Sequence, residues 1–511
     1  MKSAAAPARD LSPRFVRAMI GFIVLLFLVR NLPWHLDNYD QAKQAFTSFE
    51  MVQEGNLWFQ HTPSGRVATK PPLAGWISTG LYFLMGGNWW DVAWRIPPLA
   101  SALLLLWLLW RSGTALLDGS NIGGLIAAGA FGLNAFSPRL ATLVRTDMML
   151  TLLIFLTGWL IWKKVRSGEP WSARERWMLC LLVLGSMLTK GPIAYAFLLP
   201  GLVAFAFLTK GFRLANHSWS GWWTWLLPLL AFGAWAWIGM RLSPEFYDQV
   251  VQKEFLGRFT VGEKAVHNNQ IVLFYLGHLL LRLAPWSLLL LACLAVKEVR
   301  AAFRTDRELL WLACWTLGGL IFMSLVPSKR FDRILPVVPP LCMLIVAMAR
   351  HLPQLHWRGT PLRKLAMWSA VIACLASGAY AGAELWKNVR DDQGGLARFG
   401  RQVAEHTDGR ADRLAVISGK DEGLLLYTNQ TRFTRTEDAI DQWRSNAIDW
   451  LVLPLKVYEK EAEKLAPFDK IAEVPKLPEK GSGYAFLGRS RSPAAHEEHK
   501  QSPLEGEDLN K

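Results

Sequence analysis

Apolar runs about 20 residues long, enough to cross a lipid bilayer, recur along the first three quarters of this chain. They fall near 17–36, 96–110, 148–162, 222–240, 279–296, 334–349 and 365–385. Only 19% of the residues are charged and 52% are hydrophobic, where soluble domains run about 25% charged. The pattern is that of a polytopic helical membrane protein. The first run is long, and "VRNLPWHL" after it lacks a small-residue cleavage site. It therefore reads as a first transmembrane helix and not as a removed signal.

The basic residues set the orientation. Lys and Arg gather at the N-terminus and in 163–176, 297–307 and 350–364, and such loops stay on the cytoplasmic side. All four face the cytoplasm with about eleven spans, near 17–36, 95–112, 122–138, 148–164, 177–189, 191–208, 222–240, 270–296, 309–327, 334–350 and 365–385. Residues 71–87 then do not cross, and a re-entrant hairpin around "LTKGP" is the alternative to the two short spans there. The +15 net charge follows from these loops and argues against a nucleic-acid partner. The five cysteines lie in apolar segments without CxxC or Cys/His spacing, which argues against disulfide or zinc frameworks.

This topology places the first long loop, 37–94, outside, with 139–147, 241–269, 328–333 and everything after 386. Residues 1–386 form the membrane domain. A small α/β domain is expected over 387–489, from the strands "RLAVISG", "IDWLVLPL" and "YAFLGRS" with the helix "KVYEKEAEKLA". The polar tail, 490–511, reads as disordered.

Several charges sit where a membrane protein rarely places them. Ala42, Ala45, Phe46, Phe49 and Val52 recur at helical spacing, which predicts an amphipathic helix ending near Gly55. Asp37 or Asn38 would cap it, with Asp40 in its first turn and Lys43 beside it. That stretch alone leaves Asp40 as either a functional acid or a favourable first-turn residue. Asp147 in "LVRTDMML" enters an apolar helix, facing a cavity or pairing with Arg145. Lys70 in "ATKPPL", Lys190 in "LTKGP", Arg258 in "EFLGRF", and Lys329 and Arg330 in "SKRFDR" fall at outer helix ends. Singly each is a snorkelling residue; together they suit an external anion, such as a lipid phosphate, at membrane depth. Trp89, Trp90 and Trp94 mark the membrane interface. His35 and His61 show no metal-ligand spacing.

The stretch "YDQAKQAFTSFEMVQEGNLW…TPSGRVATKPPLAGW" resembles the first periplasmic loop of the aminoarabinose transferase and protein O-mannosyltransferase superfamily. "VRTDMML", "LTKGP", "EFLGRF…PW" and "SKRFDRILPVVPP" follow in the family's order, over about residues 15–350. The resemblance implies a GT-C fold and a bacterial inner-membrane enzyme that takes a sugar from a polyprenyl (undecaprenyl) phosphate. The acceptor would be a periplasmic hydroxyl or phosphate on lipid A, another glycan or a protein. Asp40 would be the general base and Asp147 the second acid, orienting acceptor or cation. Lys70, with Lys43 and Arg258, would neutralise the leaving phosphate, and Lys329 and Arg330 would hold the donor. The chain departs from the family where Asp-Glu becomes Asp40-Gln41 and where Arg becomes Lys43. The first removes a second carboxylate; the family leaves room for a divalent cation, and no metal ligand is assigned.

A flippase of lipid-linked sugars is the competing reading, and a non-catalytic scaffold with a sensing domain is a third. Transporters carry charges near the midplane and show repeats. The charges here collect at one face, which favours surface chemistry.

Overall fold

The computed structural model describes residues 10–87, 90–209, 221–258, 271–391, 394–408, 410–418, 420–475 and 483–489. Trp89 and the expected disordered tail lie outside these residues. The chain forms two compact units, Met1–Leu36 with Asp40–Arg390, and Asp37–Tyr39 with Asp391–Lys511.

The first unit is a helical bundle. Among the described residues, six helices are long and apolar enough to cross a membrane: Trp90–Leu116, Asp147–Ser167, Trp223–Leu242, Arg307–Leu325, Phe331–Ala349 and Leu362–Arg390. This is a multi-pass membrane protein. The expected span over 270–296 is instead two helices, Phe274–Arg282 and Trp286–Leu294, bent by 110°. Pro285 lies in the break and cannot donate to a continuing helix. "LTKGP" likewise separates Ala173–Lys190 from Ile193–Leu208, with Gly191 at positive φ and Pro192 following it. The helix Leu73–Leu84 has only 12 residues, about 18 Å of rise, too short for a span.

Burial orders the bundle. The apolar window of Phe331–Ala349 is 94% buried, whereas those of Trp223–Leu242 and Leu362–Arg390 are 28% and 22% buried. The first is therefore the central helix, and the other two turn most of their surface outward to lipid. Helices Ile193–Leu208 and Arg307–Leu325 approach through Gly201 and Gly318, where a Cβ on Gly318 would strike the Gly201 backbone. Small residues at such crossings allow close van der Waals packing where lipid supplies no hydrophobic drive.

The amphipathic helix is present as Tyr39–Glu54, with Phe46 and Phe49 buried, and Gly55 ends it at φ +74°. Asp37 serves the start of another helix. Its carboxylate accepts from the backbone N–H groups of Gly394 at 2.7 Å and of Leu396 and Ala397 at 3.2 Å each. It thus satisfies the free donors at the start of helix Gly395–Thr407, within the second unit.

A short hairpin, β1 (His356–Trp357) and β2 (Thr360–Pro361), belongs to the first unit. The second unit holds β3 (Leu414–Val416), β4 (Trp450–Pro454), β5 (Phe468–Val474) and β6 (Tyr484–Arg489) in the order β3-β4-β6-β5. β3 and β4 are parallel and the other pairs antiparallel. The three expected strands and the helix Leu455–Leu465 are all present. The additional edge strand β5 has only Val474 fully buried, so its sequence carries little apolar alternation.

Candidate active site

The site is built at one end of the bundle by five stretches far apart in sequence. Asp40 stands in the first turn of Tyr39–Glu54 with its side chain 48% exposed. Its Oδ2 accepts from an Arg330 guanidinium nitrogen at 3.0 Å. Arg330 immediately precedes the turn that opens the central helix, and the same nitrogen lies 3.6 Å from Asp332 Oδ2. Asp332 is buried and also accepts a hydrogen bond from Arg145. Arg145 Nε then meets Asp147 Oδ2 at 3.1 Å, and Lys190 Nζ donates to Asp147 Oδ1 at 2.5 Å. Opposite charges therefore alternate without a break from Asp40 to Lys190.

Lys70 reaches the same place from the first loop. It is half-buried just before Pro71 and Pro72, and its charge acts on Asp147. Lys43 is exposed one turn after Asp40, and its charge acts on that carboxylate. Lys329 is buried beside Arg330, and desolvation draws its ammonium below the usual lysine value. Arg258 ends the 3-10 turn Leu256–Arg258, and its side chain lies outside the described residues. Among the described side chains, the expected acidic and basic residues thus lie together. The expected pairing of Arg145 with Asp147 is present.

Burial of itself would raise the pKa of Asp40, but the hydrogen bond and charge of Arg330, with the charges of Arg145 and Lys43, prevail. They hold the carboxyl below the ordinary aspartate range. Asp40 is therefore both exposed and ionised. Burial would lower Arg145, yet Asp147 and Asp332 keep it above its usual value.

Gln41 has a structural role that its identity alone did not disclose. Its Oε1 accepts from buried Arg95 at 3.0 Å and from Val144 N–H at 3.2 Å. Arg95 also donates to the carbonyls of Thr142 at 2.7 Å and His35 at 3.1 Å. The start of the Asp40 helix is so fastened to the strand of chain that carries Arg145. His61 does not approach Asp40; it bonds Glu50 Oε1 at 3.0 Å. Asp332 carries no distinct signal in the sequence, because it sits inside a mixed charge run, "SKRFDR", next to three basic residues.

No family model matches the chain. Its fold is of the GT-C type. The crystal structure of ArnT from Cupriavidus metallidurans bound to undecaprenyl phosphate superposes with a TM-score of 0.69 at 16% identity, covering 93% of this chain and 98% of that one. The archaeal oligosaccharyltransferase AglB from Archaeoglobus fulgidus gives 0.53 at 12% identity, over 88% and 71%. In sequence, the chain is similar to the undecaprenyl phosphate-alpha-4-amino-4-deoxy-L-arabinose arabinosyl transferase of Erwinia tasmaniensis, 28% identical over 330 residues, 60% of this chain and 54% of the relative. The Pseudomonas aeruginosa transferase of that name is 28% identical over 351 residues, 66% and 60% of the two chains. The chain spans little more than half the length of these curated relatives.

Proposed function

We propose that the protein is a glycosyltransferase that moves a sugar from a polyprenyl phosphate to a hydroxyl or phosphate acceptor on the periplasmic side of a bacterial inner membrane. The observation that carries this is an exposed, ionised carboxylate, Asp40, set against a ring of cations at one end of a membrane bundle. The relatives' name supplies the donor class, a sugar on undecaprenyl phosphate.

The reaction is a single displacement with inversion. The acceptor oxygen attacks the anomeric carbon, and the bond from that carbon to the lipid phosphate oxygen breaks. Asp40 takes the proton from the attacking oxygen, a general-base role. The departing phosphate gains negative charge, which Lys70, with Lys43 and Arg258, offsets. Lys329 and Arg330 hold the donor from the mouth of the central helix. Asp147 has both oxygens engaged, by Lys190 and Arg145. It orders these two cations toward the phosphate instead of exchanging protons.

A divalent cation does not suit this donor set. Among the described residues no three His, Cys, Asp or Glu side chains gather as ligands, and Asp40, Asp147 and Asp332 each face Arg or Lys. The arrangement suits an anion, and no step runs through a metal.

The test incubates purified protein with radiolabelled polyprenyl-phosphate sugars and extracted envelope lipids. Label appearing in a new, non-prenyl product supports the transferase. Label crossing a liposome bilayer with no new product would make the protein a flippase. With transfer established, Lys70→Ala is expected to lower kcat/KM by about a hundredfold, through the loss of one charge-assisted contact in a dry site.

A further inference from the structure

We infer that Asp332 is a positioning residue, the buried counter-charge that fixes Arg330 against Asp40; this rests on Asp40 being the base. One carboxylate oxygen, Oδ2, faces both Arg330, at 3.6 Å, and Arg145. Through Arg330 it reaches Asp40, and through Arg145 it reaches Asp147. Asp332 thus joins the two halves of the chain of charges.

Its burial argues that this is more than local glue. The Asp332 side chain is 2% exposed, and its second oxygen, Oδ1, is buried without a hydrogen-bond partner among the described residues. A half-satisfied buried carboxylate is a poor device for stability, since replacing such ion pairs by packed apolar residues is often neutral or stabilising. Its neighbours explain its retention. Two guanidinium groups, of Arg145 and Arg330, lie against it, and the charge of Arg139 acts on it as well. Without that charge, Arg330 and Arg145 would repel each other, and Arg330 would be free to leave Asp40.

Positioning and bare electrostatics predict opposite outcomes, which makes the inference testable. As a mere nearby negative charge, Asp332 would hinder ionisation of Asp40, and its removal would lower the Asp40 pKa. As the group that holds Arg330 in place, its removal would raise that pKa, because Asp40 loses its hydrogen-bonded cation.

Infrared difference spectra between each protein and its Asp40→Asn counterpart isolate the Asp40 carboxyl during an acid titration of the full-length protein in detergent. Asp332→Asn is expected to move that titration upward by about half a pH unit or more. Arg330→Gln should do the same, and the double variant should move it no further than either alone. A downward or absent shift in Asp332→Asn, or additive shifts, would overturn the inference. Should Asp332→Asn fail to fold, Asp332→Glu keeps the charge and displaces it by one methylene. An upward shift there supports positioning, and a wild-type titration overturns it. In the transfer assay, Asp332→Asn should lower kcat/KM about tenfold, and Asp332→Glu should lower it less. A wild-type protein that transfers nothing would count against the transferase reading alone, because the infrared titration still decides the role of Asp332.

Discussion

Asp40 combines two properties that seldom occur together at a membrane surface: access to an acceptor and a carboxyl kept ionised by its neighbours. The sign of the pH dependence follows. A general base must be ionised to take a proton, and a depressed carboxyl stays ionised until pH falls through its lowered value. The acid limb of transfer should therefore lie below 3.8, the ordinary aspartate value, and rise toward it in Arg330→Gln. A pH–rate profile of the two proteins checks this. Gln41 yields a separate prediction. Gln41→Ala strips Arg95 of one acceptor and should cost about 1–3 kcal/mol, read as a lowered Tm, whereas Gln41→Glu should keep the link to Arg95. Asp40, Lys70 and Asp147 were legible in the sequence because charge at membrane depth is costly and needs a reason. Asp332 and the anchoring by Gln41 were not, because their meaning lies in partners between about 50 and 190 positions away.

The helices place these residues by where they begin. Asp147 opens one helix, Lys190 closes another, and Lys329 and Arg330 stand before the central one. Close helix crossings hold those ends in register. Gly318→Ala should lower thermal stability by about 1–3 kcal/mol, since the new Cβ meets the Gly201 backbone, which cannot turn aside. Gly233→Ala, with nothing within 4 Å, is the control expected to be neutral in the same melting experiment. In the second unit, Asp37→Ala frees three N–H groups at the start of helix Gly395–Thr407 and should cost about 1–2 kcal/mol. Faster hydrogen exchange confined to that helix would show it. Sequence periodicity found most helices, since lipid demands length and apolarity. It missed the 110° bend because residues 274–294 are apolar on both sides of Pro285. It missed β5 because this edge strand buries too little to leave a pattern.

Across the whole molecule, polar clusters occupy both ends of the membrane bundle and differ in kind. Away from Asp40, Asp306 caps helix Arg307–Leu325 through the N–H groups of Glu308 and Leu309, and it pairs with Arg350 and His351. Those acids are enclosed by the helix ends they fasten, with Asp306 12% and Glu308 16% exposed, whereas Asp40 is open. In the proposed orientation, the enclosed cluster lies on the cytoplasmic side and the open one on the periplasmic side. A cysteine at exposed Ser64 should then react with an impermeant maleimide on intact cells, and one at exposed Glu169 should react only after lysis. The reverse pattern would invert the topology. The central claim is that Asp40 is the base of a sugar transfer. Its most direct test is single-turnover transfer from a labelled polyprenyl-phosphate sugar, comparing wild type with Asp40→Asn at equal folded protein and saturating donor. A rate loss of about a thousandfold or more with donor binding retained is expected, and equal rates in the two proteins would rule Asp40 out as the base.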